Sequence, residues 1–357
     1  LYETLGIPKT ELNNLIPFAA IATVGDVMEL QDENRIIVRE GLMRLQNPEN
    51  KGLKALIRVN NLEEKTITAY HIGFILGPCM NASGRLSTAK RALNLLLTED
   101  EKEASILAED LKALNDSRKD MTAKGVEQAI EMVENTDLAK ERVLVIYLPD
   151  CHESLAGIIA GRIRERYTKP VFVLTKGEEG VKGSGRSIET YHMFQEMVKC
   201  KELFTKFGGH PMAAGLSMEE ENIEKLRRRL NENCTLTQED MTEKIVIDVP
   251  MPMSYVTIPF IRQLSQLEPF GKGNTKPVFA QKNLQISQCR VLGKNRNVVK
   301  MQLKDEFGAA AEGIWFGDGD VFVTKTQEKP CFDVIYYPTV NSFRGRESIE
   351  MVVQSIR

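Results

Sequence analysis

The sequence predicts an α/β region, held on a long connector helix, followed by an all-β barrel. Three observations carry this. Apolar residues keep helical spacing from about residue 98 to 135, a strand–helix–strand unit follows at 143–175, and beyond Lys244 the chain breaks into short strands divided by turns. With 357 residues, 42% hydrophobic and 27% charged, the chain has material for two or three domains and is too apolar to be disordered.

Residues 1–97 read as mixed helix and loop. An apolar run at 16–22 is followed by a turn at Gly25-Asp26, and 36–45 and 52–59 have helical spacing. A glycine-punctuated loop leads into a helix at 86–97. Thr98-Glu-Asp-Glu101 has capping-box spacing, and Leu107, Leu111, Leu114, Met121, Val126, Ile130 and Val133 follow on one helical stripe. Unbroken to Asn135, that helix would span about 50 Å, a connector's length. Two shorter helices broken near 115–117 are the alternative. Residues 143–148, 155–167 and 170–175 form the β-α-β unit, with further strands at 182–187 and 213–218. The barrel strands are placed at 245–249, 278–292, 298–303, 309–316, 320–324, 332–338 and 349–355, interrupted by one helix at 258–267.

No apolar run reaches the roughly 18–20 residues of a membrane helix. The opening LYETLGIPKT is neither a signal nor a transit peptide and lacks an initiator methionine, as expected of a chain that begins within a longer protein. The six cysteines are scattered without a C-x-x-C pair, which argues against a disulfide framework or zinc knuckle and for the cytoplasm. The net charge of −3 excludes a global basic field, so any nucleic-acid signal must be local. One is present: Lys282, Arg290, Lys294, Arg296, Lys300 and Lys304 span 282–304 without an acid.

Five short motifs carry chemistry. In Thr23-Val-Gly-Asp26 an acid follows an apolar stretch read as a strand, a usual place for a cation-holding carboxylate; a helix N-cap is the alternative. Gly77-Pro-Cys-Met-Asn81-Ala-Ser-Gly84-Arg85 offers Asn81 and the planar fork of Arg85 to a phosphate, or is a glycine turn. In Gly183-Ser184-Gly185-Arg186-Ser187 two glycines would free backbone amides to face an anion beside Ser184, Arg186 and Ser187, unless this is a tight hairpin. Gly208-Gly209-His210 precedes a small-residue strand, and His210 suits a phosphate or a metal-bound water, or a structural role. His152, before the helix at 155–167, is a general-base or anion-binding candidate, or a cap.

The order TVGD, NASGR, HES-LAGIIAGR, SGRS, GGHPMAAG and Glu268-Pro-Phe-Gly-Lys-Gly-Asn274 resembles the RecJ family of single-strand-specific DNA exonucleases, in the DHH phosphoesterase superfamily. The resemblance covers essentially the whole chain. It implies the C-terminal part of a DHH catalytic domain at 1–97, a connector helix at 98–138, a DHH-associated α/β domain at 139–240 and an oligonucleotide-binding (OB) barrel at 241–357. It further implies Mn²⁺- or Mg²⁺-dependent 5′→3′ cleavage of single-stranded DNA in repair and recombination. A single-strand-binding protein and a helicase are the implied partners, with no membrane. Asp26 would be a metal ligand. His152 and His210 would serve catalysis. Asn81, Arg85, Ser184, Gly185, Arg186, Ser187, Gly208 and Gly209 would hold phosphate or strand. Lys294, Arg296 and Lys300 would track the strand on the barrel, with Trp315, Phe316 or Phe343 as stacking platforms; Phe316 also suits the barrel core.

The chain departs from the family pattern in one respect. It has no D-H-H, and its only D-x-D, Asp318-Gly-Asp320, falls in a predicted barrel turn. One aspartate cannot hold two cations about 3.5–4 Å apart, so the isolated chain is expected to be inactive. Two other classes compete: a non-catalytic module that grips single-stranded nucleic acid, and a DHH phosphodiesterase for short oligonucleotides.

Overall fold

The structure is a computed structural model that describes residues 4–343 and 345–357, with the side chains of Lys9, Thr10 and Phe343 outside the described set. The chain divides into two compact units. One comprises the described part of Leu1–Leu45, Ile67–Ala69 and Ile245–Arg357, and the other Gln46–Thr66 with Tyr70–Lys244. The first 97 residues are thus shared between two units, where the sequence suggested one domain portion.

The chain opens with α1 (Lys9–Gly25) and α2 (Asp32–Leu45). They approach closely because Gly41 faces Ala20: a Cβ on Gly41 would lie 2.2 Å from the Ala20 Cβ. The apolar run before Asp26 is therefore helix and not strand.

The second unit begins with α3 (Lys51–Val59), capped by Asn50, whose side chain accepts from the Leu53 N–H. A one-turn α4 (Ala69–His71) and a π-helical turn at Ile72–Leu76 lead straight into α5 (Gly77–Leu86), then α6 (Lys90–Leu97). The segment 77–85, expected as a glycine loop, is helical. The connector is one unbroken helix, α7 (Glu101–Glu134), of 34 residues. Its N-cap is Asp100, which accepts from the N–H groups of Lys102 and Glu103, and not Thr98. The buried face of α7 is mostly small: Ala104, Ala108, Leu111, Asn115, Thr122, Gly125, Ala129 and Val133. Of the apolar stripe read from sequence, only Leu111 and Val133 are fully buried. Small side chains let other helices come close: α3, α5 and α6 pack on its first half and α8 (Ala156–Tyr167) on its second.

Around α8 folds a five-stranded sheet of β1 (Leu144–Tyr147), β2 (Val171–Lys176), β3 (Val181–Arg186), β4 (Lys206–Gly209) and β5 (Ala213–Met218). Its order is β1-β2-β3-β5-β4; β1 and β2 are parallel and the other pairs antiparallel. On one face α8 buries Ile159 and Ile163 against Val171 and Val173. On the other, α9 (Met193–Val198) and α10 (Ile223–Glu232) enclose Phe172, Leu174, Leu216 and Leu226.

The chain then returns to the first unit with β6 (Val249–Pro250), α11 (Ile258–Leu264), β7 (Phe279–Leu292), β8 (Val298–Lys304), β9 (Ala310–Phe316), α12 (Gly319–Thr326), β10 (Phe332–Phe343) and β11 (Arg346–Ile356). The order β7-β8-β9-β11-β10 is closed by a β10–β7 pairing, so the sheet is a five-stranded barrel. Its interior holds Phe279, Leu284, Val299, Leu303, Phe332 and Tyr336. The strand expected at 320–324 is instead α12. Asp318 caps it through the N–H groups of Asp320 and Val321, and Phe322 turns inward to stack on Trp315 at 4.5 Å.

Candidate nucleic-acid interface

In β3 the side chains of Lys182, Ser184 and Arg186 alternate onto one face, while Gly183 and Gly185 face the opposite core. β3 is bonded to β2 on one side and to β5 on the other. Its amides are therefore spent in the sheet, and the expected nest of glycine amides is not there. What faces outward is side chain. Gly185 is glycine because Phe172 and Met193 leave a Cβ under 3 Å.

Register extends this face across the sheet. Ser184 lies opposite Gly215, which lies opposite Gly208; Lys182 lies opposite Ser217, which lies opposite Lys206. A Cβ on Gly208 would touch nothing, and on Gly215 only the Gly183 carbonyl at 3.9 Å, so this shelf is open. It forms a cavity of about 410 Å³ lined by Ser154, Lys182, Ser184, Lys206, Phe207 and Ser217 among others. Lys182 is paired with Glu153 at 2.7 Å.

Arg186 lies half-buried at the edge of the shelf. Its Nη1 donates to the Gly185 carbonyl at 2.8 Å and the Ser184 Oγ at 3.2 Å. Gly157 of α8 faces it: a Cβ there would lie 2.8 Å from Nη2 and 2.9 Å from the Ser184 Oγ. Arg85, at the end of α5, donates from Nη1 to the Ser154 carbonyl at 2.9 Å, just before α8. Burial first, and then the positive charges of Arg85 and Arg164, hold the Arg186 pKa below its ordinary value. Among the described residues no carboxylate pairs with Arg85 or Arg186. Two unneutralised guanidiniums beside donor hydroxyls suit an anion with several acceptor oxygens.

Other expected residues are placed differently. Asn81 is exposed on α5. Ser187 is buried and its Oγ donates to the Tyr191 carbonyl at 2.6 Å, so it serves the fold. Gly209 is needed for packing, since a Cβ would lie 2.5 Å from the Ala213 carbonyl oxygen. His152 is an N-cap: its Nδ1 accepts from the Ser154 N–H at 3.3 Å and lies 2.8 Å from the Ser154 Oγ. The His210 ring is exposed in the β4–β5 turn, and only its backbone N–H is engaged, with the Ala213 carbonyl.

In the first unit, Asp26 is the exposed C-cap of α1, neither a strand end nor an N-cap. Glu268–Asn274 docks on the segment that follows Asp26. The Leu30 N–H donates to the Lys272 carbonyl at 2.7 Å, and Arg35 Nη2 donates to the carbonyls of Gln266 and Leu267 at 3.1 and 3.0 Å. The Gln31 side chain likewise donates to the Gly273 carbonyl, 242 residues away in the chain. The Glu268–Asn274 motif thus meets the segment just after Thr23–Asp26, a juxtaposition that nothing in either motif signals. Among the described residues no three His, Cys, Asp or Glu side chains gather where they could hold a metal ion. The described residues do not by themselves make a metal centre.

On the barrel, Arg296 is paired with Asp320 (Nε to Oδ2, 2.8 Å) and Lys300 with Glu350 at 3.3 Å, while Lys294 is exposed in the β7–β8 turn. The basic run is free of acids only along the chain. The aromatic roles are reversed: Trp315 is committed to Phe322, and Phe316 is 60% exposed and not core. Phe343 lies outside the described side chains.

Sequence reasoning missed Arg118 and Lys206. Arg118 sits in a helix whose nine acids outnumber its five bases, and Lys206 joins the shelf only through strand register. Among the described residues no helix is long and apolar enough to cross a membrane. All six cysteines are free.

The fold defines an α/β domain followed in the chain by a closed five-stranded barrel. Family models described as the DHHA1 domain and the RecJ OB domain match residues 140–235 and 247–355. The single-stranded-DNA-specific exonuclease RecJ of Bacillus subtilis (strain 168) is 36% identical over 313 residues, covering 87% of this chain and 40% of the relative. Crystal structures of RecJ from Thermus thermophilus in complex with Mg²⁺ and with Mn²⁺ match with TM-scores of 0.86 and 0.83. Each is 26% identical and covers 100% of this chain, against 54% and 51% of the crystallised chains. The chain is thus similar to RecJ over nearly its whole length and spans about half the length, or less, of these relatives.

Proposed function

We propose that this chain is part of a 5′→3′ single-stranded-DNA exonuclease, and that its share of the work is to hold the strand. The observation that carries this is the carboxylate-free pair Arg85 and Arg186, bonded to Ser154 and Ser184 at the edge of an open shelf, in a domain followed by an OB barrel. In this reading the two guanidiniums and Ser184 bind the 5′-terminal or the scissile phosphate and stabilise charge developing on it. The shelf of Gly208 and Gly215, flanked by Lys182 and Lys206, lets the sugar–phosphate backbone approach the sheet. The barrel tracks the incoming strand with Lys294 and Phe316, while Arg296 and Lys300 stay paired with Asp320 and Glu350. The relatives' Mg²⁺ and Mn²⁺ support a divalent-metal hydrolase whose cations are held mainly by residues other than those described here, with Asp26 at most one ligand. The reading places the protein in the cytoplasm, with a single-strand-binding protein and a helicase as partners to test.

Two assays test it. In the full-length enzyme, Arg186→Ala or Arg85→Ala should each lower kcat/KM roughly 10- to 100-fold through loss of charge-assisted phosphate bonds. Wild-type turnover in a folded variant would remove these residues from the site. The chain by itself should release no nucleotides with Mn²⁺ or Mg²⁺. Metal-dependent release abolished by Asp26→Ala would contradict that and would favour a complete centre here. Binding without hydrolysis is thus the second reading, and for the isolated chain it is favoured because no ligand cluster forms among the described residues.

A further inference from the structure

We propose that Arg118 is a third phosphate-binding arginine of this site, aimed there by a buried Asn60–Cys79–Asn115 thread. The proposal rests on the reading of Arg85 and Arg186 given above. Arg118 is half-buried on α7, and both its Nε and its Nη2 donate to the Asn115 Oδ1, at 3.1 and 2.9 Å. Asn115 is fully buried; its Nδ2 donates to the Cys79 Sγ at 3.4 Å, and Cys79 in turn lies 3.8 Å from the Asn60 side chain.

A guanidinium withdrawn from water usually meets a carboxylate. Here a neutral amide takes that place. Asn115 fixes the fork without cancelling its charge, and it leaves both Nη1 hydrogens and one on Nη2 for another acceptor.

The helices set where that charge lies. The Cys79–Asn115 contact pins α5 to α7. Six residues on, α5 reaches the Ser154 carbonyl through Arg85, and ten residues on, α7 meets α8 where Gly125 faces Ile159. Arg85 and Arg118 therefore both lie between this contact and the start of α8, where Arg186 packs on Gly157. The electrostatics agree. Burial, and next the charge of Arg85, lowers the Arg118 pKa, and Arg85 is also the first charge felt by Arg186. Arg85 is thus the charge that Arg118 and Arg186 share, and guanidiniums gathered around it without a carboxylate repel until an anion joins them.

The test is the anisotropy of a 3′-labelled, 5′-phosphorylated oligothymidylate bound to this chain, measured over a range of salt concentrations. Arg118→Gln should weaken binding about tenfold and flatten the log–log salt slope by about 0.7, one phosphate's worth for a single strand. Arg118→Lys should restore the slope but only part of the affinity, because the fork is lost. Asn115→Asp retains the arginine but sets a carboxylate against it, and should behave like Arg118→Gln in a chain that still melts cooperatively. A purely structural Arg118 would shift the melting temperature and leave the slope alone, which overturns the proposal. So does unchanged binding in both variants while Arg85→Gln and Arg186→Gln bind weakly. If those two also bind normally, the phosphate site itself falls and this inference with it.

Discussion

Gly157 measures how tightly the anion site is built. An alanine Cβ would fall under 3 Å from two polar atoms, but both are the ends of side chains that can move. Gly157→Ala should therefore leave the melting temperature nearly unchanged, because alanine favours the helix by up to about 1 kcal/mol. It should still displace Arg186 and cut single-strand affinity about three- to tenfold by anisotropy. A large loss of stability with normal binding would place Gly157 in packing alone. Arg186 and Ser187, adjacent in sequence, separate cleanly: the first faces the shelf and the second caps the turn to Tyr191. Strand alternation decides this, and it became legible once 182–187 was read as a strand.

Helix α12 and strand β9 carry the barrel's aromatic division. Phe322→Ala should cost about 3–5 kcal/mol in chemical denaturation, since it empties a buried site against Trp315. Phe316→Ala should leave stability unchanged and weaken binding to single strands. Equal destabilisation by both would return Phe316 to the core. The basic run makes a further prediction. Since Asp320 and Glu350 already neutralise Arg296 and Lys300, replacing Lys294, Arg296 and Lys300 by glutamine should flatten the salt slope by about one phosphate's worth, roughly 0.7, and not by three. Long periodic segments such as α7, the β-α-β unit and most barrel strands were readable because their apolar spacing is local. The helices at 9–25, 77–86 and 319–326 were not. Glycines or short apolar runs there suggested loops or strands, while helix packing at Ala20–Gly41, the π-helical entry to α5 and the Asp318 cap set the outcome.

Across the molecule, the motifs named from sequence divide between the two units. TVGD and EPFGKGN share the unit that holds the barrel, while NASGR, SGRS and GGH share the other. The candidate phosphate site is therefore complete within one unit, and its binding can be tested without the barrel's contribution changing. The family's order of motifs was legible in the sequence. The arginine count was not, because Arg118 enters through a helix face and a buried asparagine. The most direct test is the salt dependence of single-strand binding by the Arg85→Gln/Arg186→Gln double variant against the unmodified chain. Losing two phosphate-neutralising charges should flatten the log–log slope by about 1.4 and weaken binding at every salt concentration measured. A double variant with the slope and affinity of the unmodified chain would show that the strand is held elsewhere.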